Sequence, residues 1–90
     1  MIEVTYDGNC FLQVRGHAQW AKQGEDLICA AVTALVLTLG ESARRQESGP
    51  GYARLWGGSR EIYEAMARGF SLLAKNYPQH VHYVCTKPAK

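Results

Sequence analysis

No C-x-x-C pair occurs in this sequence, and its three cysteines, Cys10, Cys29 and Cys85, stand far apart and in odd number. Zinc knuckles and thioredoxin-type centres need closely spaced thiols, so the pattern argues against both. Long apolar runs are missing too. The longest, Leu27 to Leu39, is thirteen residues, whereas a bilayer span takes about 20. Nothing before the first strand-like segment reads as a secretory leader, so a cytoplasmic protein with reduced thiols and no membrane partner is expected. Nor does charge of one sign dominate. Ten basic residues against eight acidic ones leave a net charge of +2. The only local clusters, Arg44-Arg45 and Lys87 with Lys90, read as solubilising surface. Phosphate binding needs clustered cations, so no direct nucleic-acid partner is expected.

What is present is an ordinary globular composition, 47% hydrophobic and 20% charged, over 90 residues. One domain spanning 1–90 follows. A chain this short buries roughly 60–65% of its unfolded surface. A partner surface that adds burial would therefore matter to its stability, and a homodimer is expected.

Met1 to Tyr6 alternates, with Ile2, Val4 and Tyr6 on one side and Glu3 and Thr5 on the other. That is the pattern of a half-buried strand. Asp7-Gly8-Asn9 is a turn, because Gly and Asn tolerate the positive φ of tight hairpins. Cys10 to Arg15 alternates again, with Cys10, Leu12 and Val14 inward. Gly16 to Glu25, GHAQWAKQGE, shows neither strand nor helix periodicity. Connections are usually about two to six residues, and longer ones often carry function.

Asp26 is a good N-cap for a helix with an apolar stripe at Ile28, Val32, Leu35, Val36 and Leu39. Leu27, Ala31, Ala34 and Leu37 carry apolar surface nearly all the way round, so burial between layers, or between a sheet and a second subunit, is expected. The polar stretch Glu41 to Ser48 is expected to continue this helix beyond the core until Gly49-Pro50-Gly51 stops it. Tyr52 to Trp56 reads as a third strand, with Tyr52 and Trp56 packing on a second helix or, alternatively, lining a partner surface. Gly57-Gly58 turns the chain and Ser59 caps that helix, whose apolar face is Ile62, Met66, Phe70, Leu73 and Tyr77. His80 to Thr86 is the last strand. Cys10 and Cys85 read as small core side chains. His80 and His82 have no third ligand near them, so they read as polar strand residues and no metal is expected. The order ββαβαβ implies an α+β fold, two helices packed on a mostly antiparallel or mixed four-stranded sheet.

With Asp26 as cap, Cys29 is the third residue of the first helix. Its sulfur then lies near unpaired backbone N–H groups and the positive end of the helix dipole, which favour thiolate over thiol. The same N–H groups suit the oxygen of a tetrahedral intermediate. His17, in the long loop, is the candidate acid and base that would pair with the thiolate and protonate a leaving amine. Asp26 either hydrogen-bonds His17 or caps the helix, and the sequence leaves both open. The bland reading is an inert core thiol.

Gly16-His17-Ala18 followed by Gly24-Glu25-Asp26-Leu27-Ile28-Cys29-Ala30-Ala31-Val32 resembles the signature of the ribosomal-processing cysteine proteases, and length and element order match over essentially the whole chain. The resemblance implies His17 and Cys29 as the catalytic pair, with Asp26 at the acidic position beside them and no cofactor. It places Gly16, Trp20 and Thr33 at the substrate site: Gly16 precedes the catalytic His, Trp20 stands where an aromatic is common, and Thr33 replaces the usual serine. It also implies a homodimer. The implied partner is a precursor of large-subunit ribosomal protein twenty-seven, whose N-terminal extension ends in aromatic residues and is removed by cysteine endopeptidase activity during ribosome assembly. Two other functions compete: a non-catalytic ribosome-associated module using Arg44, Arg45 and the terminal lysines, and a thiol-based hydrolase or transferase of small molecules.

Overall fold

The computed structural model describes residues 1–16, 26–49 and 51–86. Strands β1 (Ile2–Tyr6) and β2 (Phe11–Arg15) form the expected hairpin. Helix α1 (Asp26–Gly40) follows, then β3 (Arg45–Gly49), β4 (Tyr52–Trp56), α2 (Arg60–Asn76) and β5 (Val81–Cys85). The sheet order is β3-β4-β2-β1-β5, antiparallel except for the parallel pair β1 and β5. The α+β class with two helices on a mixed sheet therefore holds, but the sheet has five strands rather than four.

The extra strand comes from the stretch expected to prolong α1. The helix instead ends at Gly40, and Glu41, Ser42 and Ala43 donate back to carbonyls of its last turn. Arg45–Gly49 then pairs antiparallel with β4. Its sequence, RQESG, contains no apolar residue, so nothing in its periodicity marks a strand. Main-chain pairing and cross-strand side chains hold it. Arg45 lies over the Trp56 ring at 4.9 Å, and Arg54 Nη1 donates to Glu47 at 3.3 Å. A polar edge strand of this kind also resists pairing with other chains.

The hairpin turn is built by Asp7, whose Oδ1 accepts from Asn9 N at 2.7 Å and Phe11 N at 3.1 Å. Pairing at Tyr6↔Leu12 and Val4↔Val14 puts both apolar sets on one face. That face, with Leu55 and Val81, meets Ile28, Val32 and Leu39 of α1 and Tyr63, Ala67 and Phe70 of α2. Fully burying an aliphatic or aromatic side chain is worth about 1.5–3 kcal/mol, and Leu12, Leu55 and Phe70 are among those fully enclosed.

Several side chains depart from expectation. The buried stripe of α2 runs through Tyr63 and Ala67, while Tyr77 is exposed. Tyr63 stacks on Tyr6 with ring centres 6.1 Å apart and donates its hydroxyl to the Gly57 carbonyl at 2.8 Å. Burial pushes its phenol up to about 12. The Tyr6 phenol is raised further, by burial first and then by its 2.6 Å hydrogen bond to Glu64. Tyr52 and Trp56 do not pack on α2. They alternate with the buried Ala53 and Leu55, so they lie on the helix-free face of the sheet, where Trp56 meets Phe11 at 5.4 Å and Tyr52 lies under Arg54 at 4.9 Å. Cys85 is exposed and so is not a core thiol, whereas Cys10 is half-buried and packs against the core. Among the described residues, α1 is covered on one side only: Ala30, Ala34 and Leu37 are exposed.

Candidate active site at the start of the first helix

Chain direction decides which end of the sheet carries the chemistry. β2 runs toward Arg15 and Gly16, and Gly16 N donates to the Gly51 carbonyl in the β3–β4 turn at 2.8 Å. α1 ends where β3 begins, and β3 begins opposite Trp56, which itself faces Phe11 at the start of β2. The first turn of α1 therefore lies toward the end of the sheet marked by Gly16 and the β3–β4 turn. His17 directly follows Gly16.

Gly16 has a definite reason to be glycine. Its φ is +90°, and a Cβ would overlap the Met1 carbonyl oxygen. Both features are confined to backbone, which cannot rotate away. Gly16→Ala is expected to cost about 1–3 kcal/mol of stability, lowering Tm by roughly 4–8 °C per kcal/mol. An unchanged melting curve would show that this residue does not fix the path into the 17–25 segment.

The helix starts one residue earlier than expected, at the residue read as its cap. Asp26 is the first helical residue, so the cap position falls on residue 25, outside the described residues, and Cys29 is the fourth residue of α1. A carboxylate-bearing residue in the first turn still suits the positive end of the dipole. Helical Cα–Cβ bonds tilt toward the N-terminus. The Cys29 side chain accordingly leans back over the first turn, where the leading N–H groups have no partner within the helix. Cys29 is 5% exposed and packs in the main core cluster, so the thiol is held in a low-polarity setting beside those dipoles.

Of the residues singled out in the sequence, three are placed. Cys29 sits in the first turn of α1 and Gly16 follows the last residue of β2 at the same end. Thr33 follows Cys29 by one helical turn, half-buried, and its Oγ1 is buried without a hydrogen-bond partner among the described residues. His17 and Trp20 lie outside the described residues, as does the side chain of Asp26. Beyond Thr33, Val36 is half-buried and Leu37 exposed, on the helix whose nearly all-round apolar surface was expected to be buried between layers or against a second subunit. Among the described residues, no three His, Cys, Asp or Glu side chains cluster as a metal site. No helix among them is long and apolar enough to cross a membrane.

The comparisons with known proteins bear on the family and the fold. The family model described as cysteine protease Prp matches residues 1–82. No curated protein sequence matches the chain. Among solved structures, SMU.848 from Streptococcus mutans is similar with a TM-score of 0.81 at 22% identity, covering 98% of this chain and 99% of the other. The essential ribosomal processing protease Prp from S. aureus, in complex with a substrate peptide, gives 0.66 at 15% identity, covering 93% and 96%. The same protease with a covalently linked product peptide gives 0.64 at 16%, covering 92% and 97%. At these identities the structures speak for the fold, and the family model speaks for the lineage: this chain belongs to the cysteine protease Prp family.

Proposed function

We propose that this chain is a cysteine endopeptidase that removes the N-terminal leader of a large-subunit ribosomal protein precursor during ribosome assembly, acting as a cytoplasmic homodimer with Cys29 as nucleophile and His17 as acid and base. One observation carries the reading: Cys29 stands in the first helical turn, toward the end of the sheet from which Gly16 launches the His17 segment, in a chain matched by the protease family over 1–82.

The chemistry follows from those positions. The Cys29 thiolate attacks the scissile carbonyl carbon, and the carbonyl oxygen takes up the charge against the free N–H groups at the start of α1. Collapse of the intermediate breaks the C–N bond, with the proton passing from His17 to the leaving amine. Water, deprotonated by His17, then hydrolyses the thioester and restores the thiolate. Asp26 either orients His17 or shapes the helix start. A covalently linked product peptide, as in the S. aureus protease, is what such a nucleophile would form.

Trp20 contributes apolar contact to the aromatic residues before the scissile bond. Trp20→Ala is then expected to lower kcat/KM several-fold, mainly through KM, with no change in Tm; unaltered kinetics would remove Trp20 from the site. The reading as a whole is tested by incubating the pure protein with a synthetic peptide that spans an aromatic-rich ribosomal leader and the mature N-terminus beyond it. Mass spectrometry should show one cut after the aromatic stretch. An intact peptide, together with salt-sensitive RNA binding, would favour the non-catalytic module instead.

A further inference from the structure

The face of the sheet turned away from both helices carries aromatic and arginine side chains that the proteolytic chemistry leaves unused. Register arranges them in three rows across β3, β4 and β2: Arg45–Trp56–Phe11, Glu47–Arg54–Gln13 and Gly49–Tyr52–Arg15. Each row holds one arginine. The three stand far apart in the chain, so no basic cluster shows in the sequence. In the first row Trp56 meets Phe11 at 5.4 Å, and the Arg45 guanidinium lies 4.9 Å from the Trp56 ring centre. In the second, Arg54 Nε donates to Gln13 Oε1 at 2.8 Å and Arg54 Nη1 to Glu47 Oε1 at 3.3 Å. In the third, the Tyr52 ring lies against Gly49, where a Cβ would stand 2.8 Å from it. Among the described residues no helix or strand is layered over these rows.

We infer that this open face binds a single strand of RNA. Phe11, Tyr52 and Trp56 are half-buried, not enclosed, and flat rings and guanidinium planes are the surfaces on which unpaired bases stack. Trp56 and Tyr52 stand four residues apart on β4, roughly 13 Å, so they seat separate bases. Three guanidiniums face two carboxylates, Glu47 within the rows and Glu3 beside Arg15 at their margin, which leaves the face cationic. The bridges from Glu47 to Arg45 at 3.4 Å and Arg54 at 3.3 Å join exposed side chains. Such pairs are weak, and a phosphate takes over the guanidinium readily. Between the aromatic rows, Glu47 and Gln13 offer acceptors to a ribose 2′-hydroxyl, which DNA lacks. A duplex hides its base faces, and an apolar peptide leaves the arginines unmatched. The face lies across the sheet from Cys29, which packs on the helix side, so RNA and a peptide substrate do not compete for one surface.

The test is fluorescence anisotropy with a labelled single-stranded RNA of mixed sequence, against a DNA strand of the same sequence and an RNA duplex. The RNA strand is expected to bind best, with a log–log salt slope of about −2 for three neutralised phosphates. Trp56→Leu should weaken binding by about ten-fold at an unchanged slope, because a stacked base releases no counterion. Arg45→Gln should make the slope shallower by about 0.7. Its side chain is 70% exposed, so Tm stays in place and this variant decides the matter if Trp56→Leu disturbs folding. Both variants should cleave the leader peptide as the unmodified chain does. No RNA binding at low salt overturns the inference, as do equal binding of DNA or duplex and an Arg45→Gln protein with the original affinity and slope. A Trp56→Leu protein that turns from dimer to monomer while keeping its RNA affinity would give the face to a second copy and overturn it too. RNA bound as expected by a chain that cuts no leader would remove the protease reading and leave this inference standing.

Discussion

Cys29→Ala is expected to reduce kcat/KM on the leader peptide by about 10⁴–10⁶-fold, the scale on which removal of a protease nucleophile is felt. The loss belongs to chemistry rather than to folding. Alanine removes a single sulfur atom from a buried position and raises helix propensity by a few tenths of a kcal/mol, so Tm should move by only a few degrees. Cys29→Ser sharpens the result: it keeps the shape and an oxygen, but a hydroxyl does not ionise beside a helix N-terminus at neutral pH, and a comparable loss is expected. Activity that survives both replacements would move the nucleophile to another thiol. The alternatives are poorly placed. Cys85 pairs in register with Tyr6, and Tyr6 with Leu12, so Cys85 and the neighbouring Cys10 lie at the hairpin end of the sheet. Four strand residues separate that end from Gly16, roughly 13 Å. Cys10 lies near the start of α2, its Sγ donating to the Gly58 carbonyl at 3.7 Å, but at the end of the sheet away from the residue that follows Gly16.

Much of this arrangement was legible because short-range physics wrote it. Alternation at Ile2, Val4, Tyr6 and at Leu12, Val14 follows from the two-residue period of a strand against one covered face, and it gave the hairpin correctly. The start of α1 was readable to within one residue from Asp26 and the apolar stripe behind it. β3 was unreadable by the same rules. RQESG has no apolar residue to alternate, and its place in the sheet depends on hydrogen bonds to β4, which the sequence does not pattern. The error had a structural consequence: reading Glu41 to Ser48 as projecting helix hid the strand that lies across a groove from Val32 and Val36 of α1. Tyr63 was missed for a related reason. Its partners, the Tyr6 ring and the Gly57 carbonyl, are distant in sequence or backbone, so no local periodicity marks it. The meaning of Gly16 was half legible. Its place before His17 stood out, but the closeness of Met1 that demands a bare Cα is a tertiary fact.

His17→Ala is expected to lower kcat/KM by about 10²–10⁴-fold, the usual contribution of a positioned acid and base, and to do so in a way that a merely structural residue would not. The imidazole has two tasks: as a cation it stabilises the thiolate, and it then protonates the leaving amine. Removing it should therefore slow alkylation of Cys29 by iodoacetamide at neutral pH, with the rate recovering as pH rises through the ordinary thiol range near ~8.5. Peptide cleavage should not recover in step, because a thiolate generated by alkali still lacks a proton donor for the amine. The two readouts thus come apart in the variant, whereas in the unmodified protein both should be active at neutral pH. Alkylation and cleavage that keep the unmodified protein's pH dependence would mean that the helix start alone ionises the thiol and that the proton reaches the amine from elsewhere. The pairing of Cys29 with the residue that Gly16 launches would then have to be given up, although the nucleophile itself would stand.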